Sequence, residues 1–233
     1  MKKAVFFATP TYDANVSVEH HGSVVNATKI LADGGYESQI ATIAGSCFVD
    51  QARNKLVKSF LESGCSDLFF VDADIGFDPL VVPRFMESPH DIVVGIPPKR
   101  KVEAEFHIGK PENGEGLKLL KHGALPCKEA PTAFMRIKRR VFDVLNEGYP
   151  QLKTMMEDPK EPTPYFQWGY MGGKYIGEDI FFCRLWSDLG HMVWYDPNVD
   201  FTHRGSHGFT GNCLKYLVDT KQVVMREPLK EIA

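Results

Sequence analysis

The first 97 residues alternate between short apolar runs and segments with helical spacing of apolar residues, and this alternation restricts the fold more than any other feature. The run "KAVFFATP" (3–10) predicts a strand, and "SVVNATKILADGG" (23–35) predicts a helix that ends at a glycine pair. The same reasoning predicts strands in 36–44, 67–74 and 91–97 and helices in 47–64 and 78–88, the last with Asp78 as its cap. Strands that alternate with helices need crossover connections, which give a mostly parallel sheet.

The rest of the chain is less regular. Residues 97–131 are rich in proline, glycine and lysine and predict hairpins and loops, whereas 132–148 predict a strand followed by a helix. Residues 177–190 predict a helix with Glu178 and Asp179 in its first turn, where the helix dipole favours carboxylates. Two short strands around Asp196 and a final helix after Gly211 complete the pattern. A length of 233 residues suits one large α/β domain.

Composition excludes several classes of protein. The formal net charge is −3 and the pI is near 6.2, so we expect no nucleic-acid partner. The N-terminal apolar run "AVFFA" is too short for a signal peptide or a transmembrane segment, which favours a cytoplasmic location. Five cysteines without a CxxC pair suggest neither a disulfide framework nor a thiolate zinc site.

Two aspartates one residue apart, Asp72 and Asp74, end the apolar run "DLFFV". In an open α/β sheet ligands bind at the carboxyl ends of the strands, which is where this pair falls. Carboxylate oxygens suit Mg²⁺ or Mn²⁺, and both could share one ion if the chain bends after Val71, which Gly76 would make easier. The alternative is structural: Asp72 ends a strand and Asp78 caps a helix.

Further motifs follow in a fixed order, namely "GEDIFF" (177–182) and "DFTHRGSHGFTG" (200–211). With the Asp-x-Asp pair, and with "ATPTYD", "QARNKLV" and "AFMRIKRRVF", they resemble the nucleotide-sugar-dependent glycosyltransferases of the GT-A fold. The resemblance implies a single GT-A-like, Rossmann-like domain over residues 1–233, with a mostly parallel central sheet and a small antiparallel portion. It also implies a nucleotide-binding half (1–97) and an acceptor-side half (98–233).

The resemblance implies a role for each matching residue. Asp74, with Asp72 directly or through ribose or water, would hold Mn²⁺ or Mg²⁺, and His203 would complete the coordination, with His207 as its competitor. The residues that would contact the nucleotide of the donor are Thr9, Pro10, Tyr12, Asp13, Arg53 and Asp72. The donor would be a nucleotide diphosphate sugar, a UDP sugar as the first expectation, and the acceptor a hydroxyl group of a glycan or another molecule.

The chemistry of glycosyl transfer needs a cation on the leaving diphosphate and a base on the acceptor hydroxyl. Asp179 is the preferred base and Glu178 the alternative. Asp179 can serve as the base if the enzyme inverts the anomeric centre, and that assignment fails if the enzyme retains it. The donor sugar, the acceptor, the stereochemistry and the oligomeric state stay open.

Each motif also has a structural interpretation. The "GED" segment can be an ordinary helix start, and Arg53 can pair with Asp50 on an exposed helix face. Aromatic residues at 168, 170, 186 and 194 pack the core or line an acceptor cleft. The basic runs "PPKRK" (97–101) and "RIKRR" (136–140) are typical of a solvated face, but if they lie together near the active cleft they could attract a phosphate-containing or lipid-linked acceptor.

Three other functions compete with glycosyl transfer. Phosphohydrolases with a strand-end Asp-x-Asp pair usually carry it on the first strand and need Thr or Val two residues after the second aspartate. Here the pair follows the third strand and Gly76 occupies that position, so this function is disfavoured. A nucleotidyltransferase of related fold would need a glycine-rich basic loop after the first strand, which "TPTYDANVS" lacks. A non-catalytic nucleotide-sugar binding module stays possible, because a fold does not imply turnover.

Overall fold

The computed structural model describes residues 3–101, 105–106, 124–158, 160–205 and 207–223. The strands are β1 (Ala4–Thr11), β2 (Glu37–Ala44), β3 (Asp67–Val71), β4 (Ile75–Phe77), β5 (Ile92–Gly95), β6 (Leu125–Cys127), β7 (Phe134–Lys138), β8 (Gly169–Met171), β9 (Lys174–Ile176), β10 (Val193–Asp196), β11 (Asp200–Arg204) and β12 (Gly208–Asn212). The helices are α1 (Val18–Asp33), α2 (Val49–Ser63), α3 (Val81–Glu87), α4 (Arg140–Gly148), α5 (Gln151–Thr154), α6 (Glu178–Asp188) and α7 (Cys213–Asp219).

A seven-stranded sheet in the order β2-β1-β3-β7-β5-β10-β6 forms the centre of the structure. The pairs β1–β2, β1–β3 and β5–β10 are parallel, whereas β7 and β6 run antiparallel to their neighbours. The prediction of an α/β fold with a mostly parallel sheet and a smaller antiparallel portion is therefore confirmed. Strands from both predicted halves of the chain contribute to this one sheet.

Hydrophobic side chains cover both faces of the central sheet. Alternate residues of β1 point to opposite faces, so Phe6 packs against Phe60 of α2 while Phe7 lies against Phe69 on the other side. All eight residues of β1 and all five of β3 are buried. Strands of this kind read as continuous apolar runs, because helices cover the sheet on each side.

Two smaller sheets were not predicted in this form. β4, β11 and β12 form a three-stranded antiparallel sheet, and β8 pairs with β9 in a hairpin. β4, β8 and β9 have three residues each, too few for an alternating pattern to be recognised. Of the predicted loop region 97–131, residues 102–104 and 107–123 lie outside the described residues.

Several helix boundaries differ from the predicted ones. α1 begins at Val18, five residues before the predicted start, because the Ser17 side chain accepts the backbone N–H of His20 as an N-cap. α3 begins at Val81 rather than at Pro79, and Asp78 accepts the N–H of Leu80 in the turn before it. In the described part of the chain no helix has both the length and the apolar character needed to cross a membrane.

The interpretation of "RIKRR" as a solvated face is wrong for two of its arginines. Arg136 is fully buried, and its guanidinium donates to carbonyl oxygens at the end of α3 and just beyond it, including those of Phe85 and Ser88. Arg139 donates to three carbonyl oxygens at the end of α2 and just beyond it. Both cations therefore bind the negative ends of helix dipoles.

Candidate active site

A cleft of about 570 Å³ opens at the carboxyl ends of β1, β2 and β3. It lies where an open α/β sheet is expected to bind a ligand. The lining residues are Pro10, Thr11, Tyr12, Asp13, Asn15, Val16, Ser17, Ser46, Cys47, Val49, Ala52, Asp72, Ala73, Asp74, Arg100 and Arg204. The cleft therefore brings both aspartates of the Asp-x-Asp pair together with residues that follow β1 and β2.

The turn that carries the aspartate pair, residues 72–74, is fixed by backbone hydrogen bonds from three directions. The N–H of Asp72 donates to Ala133 O at 3.0 Å, and Ala73 O accepts the N–H of Ser17 at 2.8 Å. Asp74 O accepts the N–H of Arg204 at 2.8 Å, which attaches the turn to β11. Anchoring of this kind holds side chains in place before a ligand arrives.

Gly76 follows this turn for a reason that differs from the predicted one. A Cβ atom at this position would lie 2.6 Å from Cβ of Glu19, so α1 can pack on β4 only if residue 76 has no side chain. Its φ angle is not in the left-handed region. Close packing against α1, rather than bending of the chain, therefore accounts for this glycine.

Asp74 lines the cleft and faces His203, which is not itself part of the lining, although 129 positions separate the two residues in the sequence. His203 Nε2 lies 3.3 Å from Asp74 Oδ2. Arg100 contacts both groups: one guanidinium nitrogen pairs with Asp74 Oδ2, and Nε donates to His203 Nε2 at 3.1 Å. A positively charged guanidinium therefore already contacts the atoms that a metal ion would use.

The hydrogen bonds of His203 define its tautomer. Its Nδ1 lies 2.8 Å from Pro98 O, and a carbonyl oxygen can only accept, so Nδ1 carries the proton. Nε2 is then an acceptor with its lone pair directed towards Asp74 and Arg100. Burial lowers the pKa of His203, so the ring is neutral at pH 7. A carbonyl bond on one ring nitrogen, with the other nitrogen unprotonated, is typical of metal-binding histidines; here Arg100 would have to release Nε2 to a metal.

This donor set fits a divalent cation that takes some of its ligands from a substrate. Asp74 supplies a carboxylate oxygen and His203 an imidazole nitrogen, both acceptable to Mn²⁺. Within the described residues, no group of three or more His, Cys, Asp or Glu side chains could hold a metal ion by itself. Protein sites with one or two ligands are usual where substrate phosphates complete the coordination.

Asp72 points away from this pair and towards Arg53. The guanidinium of Arg53 lies 3.0 Å from Asp72 Oδ1 through Nη2 and 3.3 Å from Glu178 Oε1 through Nε. Arg53 is 4% exposed, so it is neither the exposed helix residue nor the partner of Asp50 that the structural interpretation expects. It joins the Asp-x-Asp turn to the start of α6, where Glu178 lies 125 positions after Arg53 in the sequence.

The two carboxylates at the start of α6 differ in their surroundings. Glu178 is buried against Arg53, and burial raises its pKa although Arg53 opposes the shift. Asp179 is half-buried, and burial likewise raises its pKa, with a smaller contribution from the charge of Asp72. Asp179 Oδ1 accepts the N–H of Ile180 at 2.7 Å. Among the described residues, Glu178 is paired with Arg53, whereas no described cation pairs with Asp179.

The residues expected to border the nucleotide fall into two groups. Pro10, Tyr12 and Asp13 line the cleft, and Tyr12 is 76% exposed. Thr9 does not line it: this residue is buried, and its Oγ1 lies 3.0 Å from Nε2 of His20. His207, the competitor of His203, packs its ring against Phe209.

Among the cleft residues that sequence reasoning did not assign to the site are both of its arginines, Arg100 and Arg204. Arg100 belongs to "PPKRK", for which a solvated face is the favoured interpretation and a place near the cleft the alternative, and Arg204 follows His203 directly. Arg204 also pairs with Glu19 at 3.3 Å. The sequence did contain a signal for Arg100. "PPKRK" directly follows β5, a predicted parallel strand, and the carboxyl ends of such strands form the edge of the sheet at which ligands bind.

A larger and more open groove of about 720 Å³ lies between α1 and the three-stranded sheet. Its polar lining includes Asp78, Asp200 and Lys215. It does not lie at the carboxyl ends of the parallel strands, and the pairs formed by Asp74 and by Arg53 are not part of its lining. The smaller cleft is therefore the better candidate for chemistry.

Comparisons with known proteins are limited to the fold. No protein-family model matches the sequence, and no curated protein matches it. Among solved structures, a glycosyltransferase involved in the glycosylation of the major capsid of PBCV-1 is 8% identical over 70% of this chain and 82% of that chain, with a TM-score of 0.37. The inositol-1-phosphate CTP transferase from T. maritima is 12% identical over 88% and 91%, with a TM-score of 0.41.

These two TM-scores are too low to support a conclusion. A197 from STIV is more similar, with a TM-score of 0.54 and 16% identity over 99% of this chain and 98% of that chain. Identity at this level establishes likeness of fold and nothing about activity. The chain therefore has an α/β fold similar to that of A197 from STIV over almost its whole length.

Proposed function

We propose that this protein is a metal-dependent glycosyltransferase that moves a sugar from a nucleotide diphosphate sugar to a hydroxyl acceptor. A UDP sugar is the first donor to test. The observation that carries the proposal is the pair of acceptor atoms Asp74 Oδ2 and His203 Nε2, held 3.3 Å apart, with Asp74 in the lining of the strand-end cleft. Two protein ligands leave coordination positions for the two phosphates of a donor.

The residues of the cleft have complementary tasks in this reaction. Asp74 and His203 would hold Mn²⁺ or Mg²⁺, which when bound offsets the negative charge that develops on the leaving diphosphate. Pro10, Tyr12 and Asp13 would border the nucleotide. Asp72 is held by Arg53, which favours a contact to ribose or to water over direct coordination.

Asp179 would accept the proton of the acceptor hydroxyl, with Glu178 as the alternative. Ionised Glu178 already compensates the charge of Arg53, which makes it the poorer base. Arg53 would act through other residues: by binding Asp72 and Glu178 it connects the Asp-x-Asp turn to the start of α6, the helix that carries Asp179.

The decisive experiment measures binding and hydrolysis of a panel of nucleotide sugars, with and without Mn²⁺. UDP-glucose, UDP-galactose, UDP-N-acetylglucosamine and GDP-mannose are suitable members. We expect Mn²⁺-dependent binding of at least one of them and slow release of its nucleotide diphosphate. Absence of binding to every donor, and to UDP and GDP themselves, would reject the proposal. Release of pyrophosphate from CTP in the presence of sugar phosphates would favour nucleotidyl transfer instead.

Replacing Arg100 by alanine is expected to strengthen Mn²⁺ binding about fivefold, because Arg100 competes with the metal for Asp74 and His203. The Arg100 side chain is about half exposed, so its ion pair is worth at most about 1 kcal/mol, which corresponds to this factor. Titration calorimetry with Mn²⁺ measures the change. Arg204→Ala is the matched control, since Arg204 also lines the cleft but pairs with Glu19. Weaker Mn²⁺ binding in Arg100→Ala than in the wild type would contradict this arrangement.

The rate of transfer is expected to fall at acid pH around a midpoint above the ordinary pKa of an aspartate. The base must be ionised, and burial raises the pKa of Asp179, so protonation inactivates the enzyme at a higher pH than for an exposed aspartate. In Asp179→Asn we expect a loss of about 10²- to 10⁴-fold with donor binding retained. Glu178→Gln is the comparison variant. If the fall in rate at acid pH disappears in Glu178→Gln but persists in Asp179→Asn, the base is Glu178.

A further inference from the structure

The β8–β9 hairpin and the residue before it, together residues 168–176, expose three large aromatic side chains; we call this segment the aromatic hairpin. Trp168 is 50% exposed, Tyr170 81% and Tyr175 61%. Aromatic residues usually bury most of their surface, and an exposed group of them marks a binding surface. By contrast Trp186, one of the other aromatics that the sequence left ambiguous, is 1% exposed and belongs to the core.

The pairing of the hairpin places the three rings on one face. Tyr170 is the cross-strand partner of Tyr175, and Trp168 precedes Tyr170 by two residues, which puts it on the same side. The Trp168 and Tyr175 rings are stacked with centroids 6.2 Å apart, and Tyr170 meets Tyr175 edge-on at 5.2 Å. Ile176, the partner of Gly169, is buried. The hairpin therefore has an apolar inner contact and an outward aromatic face.

The turn of the hairpin limits its freedom to rearrange. Gly172 and Gly173 both have positive φ, 59° and 76°, as the two central residues of a type I′ turn require. Arg184 of α6 donates to Met171 O at 3.4 Å and so attaches the turn to this helix. The aromatic face is consequently attached to the same helix that carries Asp179.

Gly177 connects the aromatic face to the candidate base. A Cβ atom placed on Gly177 would lie 2.9 Å from Asp179 Oδ1 and 3.6 Å from the nearest atom of the Trp168 ring. The carboxylate and the indole ring therefore border the same small residue. A molecule resting on the aromatic face would extend towards the carboxylate that is expected to take a proton from the acceptor.

We propose that the aromatic hairpin binds a pyranose ring of a glycan acceptor and directs one of its hydroxyl groups to Asp179. The apolar C–H faces of a pyranose stack on aromatic rings, whose faces carry partial negative charge, while its hydroxyl groups stay in water or reach polar neighbours. The role of the hydroxyl at Asp179 rests on the proposed function, whereas the binding of the sugar ring does not.

The charges around the hairpin favour a neutral sugar over an anionic membrane surface. A membrane-binding hairpin needs several lysines or arginines beside its aromatic residues. Residues 168–176 contain one, Lys174, and Arg184 beneath the turn is already paired with Glu129 at 2.6 Å. Stacking on a sugar ring needs no such cluster.

The test uses methyl β-D-glucopyranoside, methyl β-D-galactopyranoside and methyl α-D-mannopyranoside as probes, without nucleotide or metal. Saturation-transfer NMR and tryptophan fluorescence report binding to the full chain. We expect at least one glycoside to bind and its affinity to fall about tenfold or more in the double variant Tyr170→Ala/Tyr175→Ala. Tyr170→Phe/Tyr175→Phe keeps the rings and should keep most of the affinity, which separates ring stacking from hydrogen bonding by the hydroxyl groups, and an unchanged circular dichroism spectrum shows that the alanine variant is folded.

Three results would overturn the proposal: no binding of any of the glycosides, equal binding by wild type and the alanine double variant, or hairpin-dependent binding to phosphatidylserine vesicles instead. Failure here is distinguishable from failure of the proposed function. Glycoside binding with no nucleotide-sugar binding would reject the transferase alone. Mn²⁺-dependent nucleotide-sugar binding without glycoside binding would reject only the role of the aromatic hairpin.

Discussion

For the proposed reaction, replacing Asp74 by asparagine is expected to reduce Mn²⁺-dependent turnover of the donor at least about 100-fold, because the substitution removes the carboxylate oxygen that lies 3.3 Å from His203 Nε2. Asparagine has the same size, and the backbone bond from Arg204 N–H to residue 74 does not depend on the side chain. The turn should therefore keep its shape while its affinity for Mn²⁺ falls. Steady-state kinetics and Mn²⁺ titration measure the two effects.

Asp78→Asn is the matched control for this variant. Asp78 lies four residues further along, and it accepts the N–H of Leu80, a bond that the amide oxygen of asparagine can also accept. Its turnover should stay close to that of the wild type. Removal of the metal from the wild type with a chelator should reproduce the effect of Asp74→Asn. Full activity of Asp74→Asn would mean that the reaction does not depend on a cation at this position.

Replacing Arg136 by leucine is expected to lower the free energy of unfolding by about 3–5 kcal/mol, the range measured when one partner of a buried ionic group is removed. Arg136 is fully buried, and leucine would leave carbonyl oxygens such as Phe85 O and His90 O without their donor. Asp67, 3.7 Å from Arg136, would also lose its nearby cation. Urea unfolding followed by circular dichroism measures the loss.

Arg140→Leu provides the comparison from the same basic run. The Arg140 side chain is 58% exposed and pairs with Asp91, so we expect a change of less than about 1 kcal/mol. Equal effects in the two variants would show that the bonds of Arg136 to the end of α3 are not important for stability. The contrast tests whether "RIKRR" contains a buried helix cap or only surface charge.

The order of the elements could be predicted from particular local signals. The apolar runs of β1 and β3 and the glycines after α1 and α2 mark strands and helix ends by backbone preferences and burial that depend on near neighbours. The short strands β4, β8 and β9 could not be predicted, because three residues carry too little periodicity. Their pairing depends on partners elsewhere in the chain.

Within the candidate site, the aspartate pair was likewise predictable only in part. Its position after an apolar strand was sufficient to place both carboxylates at the ligand-binding edge of the sheet. It was not sufficient to show that they diverge, with Asp72 on Arg53 and Asp74 on Arg100 and His203. Side-chain direction after a strand depends on how the turn is anchored, and these anchors come from α1, β7 and β11.

The sequence by itself determined the α/β class, the mostly parallel sheet and the edge at which a ligand would bind, because each follows from local periodicity and from the handedness of strand–helix connections. Only the tertiary structure decided which charges meet. Arg53 and Glu178 are 125 positions apart, and Arg100 and His203 are 103 apart. Contacts over such separations form when packed elements bring side chains within a few ångströms, and no local pattern in the chain encodes that distance.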